Sequence, residues 1–350
     1  MNDHIEIRGR RIGPGAPTYI VAEISANHRQ QYAEALKLVH AAKEAGADAV
    51  KLQTYTPDTL TIRSDREYFR VGGGTLWDGR TLYDLYQEAY MPWEWQPKLK
   101  GAAEGLGLDL FSSPFDPAAV DFLEGMSVPA YKVSSFEIVD IPLIERMART
   151  GKPLLMSTGM ATREEIREAV DAARHAGAKE IALLKCNSAY PAPPEEMNLR
   201  TIPDMQKTFR VPVGLSDHTL GIAAPVAAVA LGACIVEKHF TLSRSVPGLD
   251  SAFSLEPGEF RAMVGGVRTA EKALGEARYE PTPAEAKSRQ FRRSLFVVKD
   301  MKEGEVFTSE NVRSIRPADG LPPREIKKIL GRKAKRDIAA GMPLAWDLVG

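Results

Sequence analysis

The sequence predicts an α/β protein: a (β/α)8 barrel, the TIM-barrel arrangement, followed by a small second domain. Two observations carry this. From residue 18 to about Leu274 one unit recurs, a short apolar strand, a polar loop and an amphipathic helix, and eight such strands can be counted. Glycine follows several of the helices, at Gly46, Gly107, Gly151, Gly177 and Gly232, where a left-handed C-cap leads into a buried parallel strand. A doubly wound open sheet is the structural competitor. It ranks lower because no Gly-rich dinucleotide fingerprint follows the first strand.

Taken in order, residues 5–12 alternate like a strand with a tight turn at Gly9, and would plug the bottom of a barrel. The barrel strands are expected over Tyr19–Ile24, Ala49–Gln53, Asp109–Ser112, Ala130–Val133, Leu154–Ser157, Ile181–Cys186, Val213–Leu215 and Ile235–His239. Helical stretches between them include Tyr32–Ala45, Trp93–Leu106, Pro117–Glu124, Ile141–Thr150, Thr162–Ala176 and Gly221–Leu231. The longest departure is residues 55–92, rich in aromatic residues and carrying Gly72-Gly-Gly74. An insertion after the second strand reads either as a cover over the catalytic face or as a surface embellishment with its own small core. The barrel is expected over 1–275 and a polar linker with Pro281 and Pro283 over 276–290, with a second domain over 291–350. That domain holds a weak repeat, Asp300-Met-Lys-Glu-Gly-Glu-Val-Phe echoed by Asp337-Ile-Ala-Ala-Gly-Met-Pro-Leu, as in two copies about a pseudo-twofold axis.

The 350 residues are 44% hydrophobic and 26% charged, enough for a sizeable core. A formal net charge of +0 argues against a general nucleic-acid binder or a polybasic membrane protein. The beginning of the sequence lacks the apolar core of a signal peptide, and no run of eighteen apolar residues occurs. Cys186 and Cys234 lie in apolar runs and read as buried small residues in a reducing compartment, with a cytoplasmic location the expectation.

In a barrel enzyme the reacting groups stand where strands end. Those ends give Glu23, Ser25, Asn27 and His28; Lys51 and Gln53, which share a face; Ser112 and Ser113; Lys132, Ser134, Ser135 and Glu137; Ser157; Lys185, Ser188 and Tyr190; Ser216, Asp217 and His218; and Glu237, Lys238 and His239. A lone lysine at such a place is more often a solvated terminus. Four of them, Lys51, Lys132, Lys185 and Lys238, beside small hydroxyl residues suit a ligand bearing phosphate and carboxylate. His218 and His239 end the last two strands, which lie about 4.8 Å apart, so both imidazoles reach one metal ion. Two histidines with no cysteine in ligand spacing favour a site completed by oxygen, of the Mn2+ or Mg2+ kind. Glu23 would position or deprotonate a water, or hold the substrate.

Glu23-Ile-Ser-Ala-Asn-His28, Lys51-Leu-Gln-Thr54, Tyr131-Lys-Val-Ser-Ser135, Ser157-Thr-Gly159, Gly214-Leu-Ser-Asp-His-Thr219 and Glu237-Lys-His-Phe240 resemble the sialic acid synthase family. Its members condense phosphoenolpyruvate with an amino-sugar aldehyde. Arg292-Arg-Ser294, Glu310-Asn-Val312 and Arg316-Pro317 resemble that family's antifreeze-like (SAF) domain. Within the family the sequence is most similar to the pseudaminate branch, on Gln53-Thr-Tyr-Thr-Pro-Asp-Thr59, Leu76-Trp-Asp-Gly79, Ser112-Ser-Pro-Phe-Asp116 and Asp250-Ser-Ala-Phe-Ser-Leu-Glu-Pro257; the N-acetylneuraminate and legionaminate branches are the alternatives. Leu249 stands before Asp250 where the family pattern leads one to expect proline.

The resemblance implies that His218 and His239 bind a divalent metal, Mn2+ preferred, with Mg2+ or Co2+ possible. It implies that Lys132, Ser157, Ser188 and Ser216 hold phosphoenolpyruvate. Glu23, Lys51, Gln53, Glu137, Tyr190 and Asp250 would surround the reacting centre and the sugar, 2,4-diacetamido-2,4,6-trideoxy-L-altrose in the pseudaminate branch. Arg316 would come from the other subunit of a domain-swapped homodimer, and neither nucleic acid nor membrane is an expected partner. A synthase using a phosphorylated sugar would need further arginines at strand ends, and there are none. A non-catalytic or ice-interacting protein, suggested by the C-terminal domain alone, would not need the strand-end Lys/Ser/His set.

Overall fold

The computed structural model describes residues 3–350. A hairpin, β1 (Ile5–Ile7) and β2 (Arg10–Ile12), comes first. Eight parallel strands then close into a barrel: β3 (Tyr19–Glu23), β4 (Ala49–Thr54), β5 (Asp109–Pro114), β6 (Tyr131–Val133), β7 (Leu154–Ser157), β8 (Ile181–Cys186), β9 (Val213–Asp217) and β10 (Ile235–His239). Closure pairs β10 with β3, setting His239 opposite Glu23. Helices α1 (Tyr32–Glu44), α2 (Pro57–Leu60), α3 (Leu82–Ala89), α4 (Gln96–Gly105), α5 (Pro117–Gly125), α6 (Ile141–Ala148), α7 (Arg163–His175), α8 (Thr201–Phe209), α9 (Ala223–Ala230) and α10 (Pro257–Leu274) connect and surround the strands. Helix α8 is additional to the sequence reading, where Pro203 masks its periodicity. The helix expected over Trp93–Leu106 divides into a 3-10 turn at Trp93–Trp95 and α4, with Pro97 in the first turn of the latter.

The hairpin turns through Arg8 and Gly9, both at positive φ, as a two-residue connection requires. Its Ile5, Ile7 and Ile12 join Tyr19, Val21, Ala49, Phe111, Leu155, Leu184 and Ile235 in the barrel's interior core, so the hairpin does plug the bottom. At Gly214 an added Cβ would stand 2.5 Å from the Ile235 carbonyl oxygen and 2.7 Å from Leu184, so only glycine lets β9 approach its neighbours.

Alternation along the strands decides what each end presents. On β10, Ile235 belongs to the interior core while Glu237 and His239 line the cavity above it, all on one face. Val236 lies on the other face, against the helices, and Lys238 shares its parity. The same rule sends Lys51 and Gln53, Lys132, Ser157, Cys186, Ser216 and His218 into the cavity. It turns Lys185 and Lys238 outward, correcting the sequence reading of four lysines at the mouth. Lys238 instead lies fully buried, 2.5 Å from Asp217 and hydrogen-bonded to the Thr219 carbonyl, and so clamps β9 to β10 behind the two histidines.

The second compact unit is Glu276–Gly350. The stretch read as a linker contains a short helix, α11 (Pro283–Ser288), started by a Thr282–Glu285 capping box with proline in the first turn. Strands β11 (Ser294–Val297) and β12 (Val312–Ile315) pair antiparallel, and α12 (Ile326–Ile329) follows. The internal repeat becomes two matched halves. Met301 and Ile338 exchange backbone hydrogen bonds of 2.8 and 2.9 Å. Asp300 accepts from the Ala340 amide and Asp337 from the Glu303 amide. Met301 and Ile338, Phe307 and Leu344, Val312 and Val349 occupy equivalent core positions. Both cysteines are free and buried, and among the described residues no helix is long and apolar enough to cross a membrane.

Because breaking a buried ion pair strands the surviving charge, Lys238→Ala should cost about 3–5 kcal/mol of unfolding free energy. The paired change Lys238→Met with Asp217→Leu should cost less than the single one. Urea unfolding of the three proteins measures this; a single variant as stable as wild type would contradict it.

Candidate active site

A cavity of about 470 Å³ opens at the C-terminal ends of the barrel strands. Four buried charges form its floor. Lys51 Nζ lies 2.6 Å from Glu23 Oε2 and 3.5 Å from Glu237 Oε1, and Lys132 Nζ lies 3.9 Å from the same Glu237 oxygen. Lys132 also donates to Ser157 Oγ at 2.6 Å, and Ser216 donates to Glu237 at 3.3 Å. Burial pushes the Glu23 carboxyl up to about 7 even against the Lys51 ammonium, and Glu237 adds to the push. Burial acts on Glu237 in the same sense, but Lys132, Lys51 and His218 outweigh it and hold that carboxyl low. The pair therefore divides its work, with one acid ready to take or give a proton near neutrality and the other ionised. Lys132 is lowered by burial.

A second chain of contacts leads away from Glu23. Gln53 Nε2 donates to Glu23 at 3.2 Å and to Ser25 Oγ at 3.1 Å, and Ser25 donates to the Asp250 carboxylate, which also accepts the Ala26 amide at 3.3 Å. Asp250 is thus held by the loop after β3 although it lies beyond β10. Glu137 follows β6 in a 3-10 turn; burial raises its carboxyl to about 7, and Oε2 has no hydrogen-bond partner.

The rings of His218 and His239 have centroids 5.2 Å apart. Nδ1 of His218 contacts the Asn187 carbonyl oxygen at 2.7 Å, which makes it a proton-bearing nitrogen and Nε2 the one that could bind a metal. His239 keeps a buried Nδ1 without a partner. Burial above all, and then the nearness of His218, Lys51 and Lys238, hold His239 well below its ordinary value, so it is neutral at pH 7. Two imidazoles with free lone pairs fit a divalent ion. Among the described residues no group of three His, Cys, Asp or Glu converges as ligands, so further positions would fall to oxygen donors such as water or substrate.

Cys186, read from the sequence as a buried small residue, stands beside His218. It ends β8 with the parity of Ala182 and Leu184, lines the cavity, and places Sγ 3.8 Å from His218 Nδ1. Burial disfavours its thiolate, but His218 and neighbouring donors draw the thiol down to about 7. Tyr190 packs on His218 at 4.4 Å with the rings tilted by 41°, and Phe253 meets His239 edge-on at 4.9 Å. The insertion supplies the remaining wall through Tyr55, Leu60, Val71, Trp77, Leu82 and Tyr86, so it covers the mouth.

Of the residues singled out from sequence, Lys51, Gln53, Lys132, Glu137, Ser157, Ser188, Tyr190, Ser216, His218, His239 and Asp250 line this one cavity, with Glu23 beneath Lys51. Arg316 is exposed just after β12 in the second unit, while the lining residues belong to the first. Sequence reasoning named Glu237 at a strand end without a role, read Cys186 as a buried small residue, and met Trp77 and Phe253 only within motifs. Parity with His239 was the signal for Glu237, and parity within the sixth barrel strand the signal for Cys186.

The profile of the NeuB family matches residues 38–279, and that of the SAF domain residues 292–350. A pseudaminic acid synthase from Campylobacter jejuni is 47% identical over 323 residues, covering 92% of this chain and 94% of its own. One from Helicobacter pylori is 46% identical, covering 95% and 97%. Among solved structures, an N-acetylneuraminic acid synthetase from Leptospira borgpetersenii, crystallised with citrate, superposes with a TM-score of 0.73 at 30% identity, over 82% of this chain and 95% of that one.

The raised Glu137 carboxyl has a consequence for stability. Its native value of about 7 exceeds its ordinary 4.5, so across that window the folded chain keeps a proton the unfolded chain has released. This group therefore makes stability fall as pH rises from about 4.5 to about 7. Glu137→Gln should flatten that fall, read as a smaller loss of unfolding free energy between pH 5 and pH 8. An identical loss in both proteins would contradict the assignment.

Proposed function

The chain belongs to the NeuB family, and on that premise we propose that it is a pseudaminic acid synthase, a phosphoenolpyruvate-dependent enzyme that forms a carbon–carbon bond with an amino-sugar aldehyde. The observation that carries the chemistry is the cavity floor, where two lysines and two carboxylates sit beside a histidine pair. Identity of 46–47% with pseudaminic acid synthases over most of the chain supports the product. An apolar and aromatic wall from the insertion agrees with a 6-deoxy sugar carrying two acetamido groups, 2,4-diacetamido-2,4,6-trideoxy-L-altrose.

In this reading Lys132, Ser157, Ser188 and Ser216 receive the phosphate and carboxylate of phosphoenolpyruvate, and Lys51 adds charge from the neighbouring strand. Ser188 Oγ is buried without a partner, which suits a hydroxyl awaiting a ligand oxygen. C3 of phosphoenolpyruvate attacks the aldehyde carbon, C2 becomes an oxocarbenium centre and water adds there. The tetrahedral product then releases phosphate by cleavage of the C–O bond. Glu23, with its carboxyl near neutrality, takes the proton of that water, and Gln53 keeps it oriented. Gln53, Glu137, Tyr190 and Asp250 surround the sugar end. A divalent ion held by His218 and His239, with Mn2+ preferred and Mg2+ or Co2+ as alternatives, would supply positive charge beside a carbonyl oxygen.

Exposed apolar side chains stand on the loops after β6, β7 and β9, namely Phe136, Met160 and Leu220, each about three-fifths exposed. Such a rim supports a second copy covering the mouth in a domain-swapped homodimer, with Arg316 supplied by the partner subunit.

Phosphate and keto-acid should appear in equal amounts from phosphoenolpyruvate, Mn2+ and the diacetamido-trideoxy-altrose, and far more slowly with N-acetylmannosamine. No phosphate release with any amino sugar would overturn the synthase reading. His218→Ala and His239→Ala should each abolish metal-dependent turnover while circular dichroism and Tm stay near wild type; full activity in both would contradict the assigned roles.

A further inference from the structure

Within the insertion, residues 71–80 form a small hairpin tied mainly to itself. Val71 and Arg80 are joined at 2.8 Å, Gly79 donates back to Val71 at 2.8 Å, and Asp78 accepts the Gly74 and Thr75 amides at 2.8 Å each. Gly73, Gly74 and Gly79 take positive φ, which lets so short a loop close. Between residues 72 and 79 every residue but Trp77 is exposed. Val71, Thr75 and Trp77 of this hairpin line the cavity, and Trp77 is the large side chain among them.

Trp77 meets the chemistry in two ways. Its indole Nε1 donates to the Leu249 carbonyl at 3.2 Å, and Leu249 immediately precedes Asp250. Its ring packs on Tyr190 at 5.8 Å and Phe253 at 6.5 Å, the two aromatic residues that touch the histidines. None of these contacts involves Lys51, Lys132 or the serines of the anion end. The tie therefore acts on one half of the cavity.

We propose that Trp77 is a positioning residue for the aldehyde substrate: it latches the insertion to the loop carrying Asp250 and holds Tyr190 and Asp250 in register around the sugar. This rests on the reading of the cavity as a two-substrate synthase site. Since the indole supplies the hairpin's hydrogen bond to the Asp250 loop and its aromatic contacts, loss of that indole loosens both the cover and the Asp250 loop, while the floor charges stay in place.

Two variants and two readouts test it. Trp77→Ala should raise KM for the aldehyde by about tenfold or more, equivalent to about 1.4 kcal/mol, and change KM for phosphoenolpyruvate less than about twofold. Trp77→Phe keeps a ring but loses the N–H, and should fall between wild type and Trp77→Ala. Trypsin cleavage after Arg70 and Arg80, with no substrate present, should be faster in Trp77→Ala than in wild type. Equal rises in both KM values, or an unchanged aldehyde KM in Trp77→Ala, would overturn the positioning role. Unchanged tryptic rates would overturn the latch. A wild-type protein that turns over no amino sugar would instead remove the synthase reading, and the substrate-free cleavage rates would still decide whether Trp77 fastens the hairpin.

Discussion

Mutual neutralisation of Glu23, Lys51, Glu237 and Lys132 is the constraint around which the catalytic end of the barrel is arranged. Desolvating each of these groups alone would cost several kcal/mol, so none is tolerable there without the others. Their spacing follows from barrel closure: β10, β3 and β4 are consecutive around the ring, Glu23 stands opposite Lys51 with Glu237 opposite Val21 one step below, and Lys132 reaches in from β6. The apolar hairpin plug and interior core below seal that layer from water on its lower side. An anionic ligand entering from above meets lysines already desolvated and oriented, the condition under which charge-assisted hydrogen bonds are strongest.

The remaining features organise access to that layer. The Lys238–Asp217 pair holds β9 and β10 together from behind and so sets the spacing of His218 and His239. Tyr190 and Phe253 pack against the imidazoles, and the insertion adds apolar and aromatic side chains to the cavity wall. The result is a site with charged groups on its floor and apolar and aromatic groups on its wall, in keeping with the condensation proposed above.

Much of this was legible in the chain because parallel buried strands read as apolar runs and their helices end on glycine. The shared face of Lys51 and Gln53 followed from parity alone. Lys185 and Lys238 were misjudged because place at a strand end was counted without parity: Lys238 alternates with the inward Glu237 and His239, and so faces outward beside Asp217. Cys186 was hidden by its apolar run, since reactivity depends on His218, which comes to it from a different strand. The repeat of the second unit was visible at Asp300 and Asp337, and the structure explains it as two halves exchanging the same bonds. The bearing of Trp77 on the site was not legible, because it depends on how Asp78 folds the loop around it.

The central claim is that parity, rather than mere position at a strand end, assigns the anion-binding lysines. Calorimetric titration of phosphoenolpyruvate into Lys132→Met and Lys185→Met, with wild type as reference, tests it most directly. Removing an inward, desolvated ammonium should weaken binding by tens to about a hundredfold, while the outward substitution should change affinity less than about twofold. Equal losses in the two variants, or a loss confined to Lys185→Met, would contradict the account.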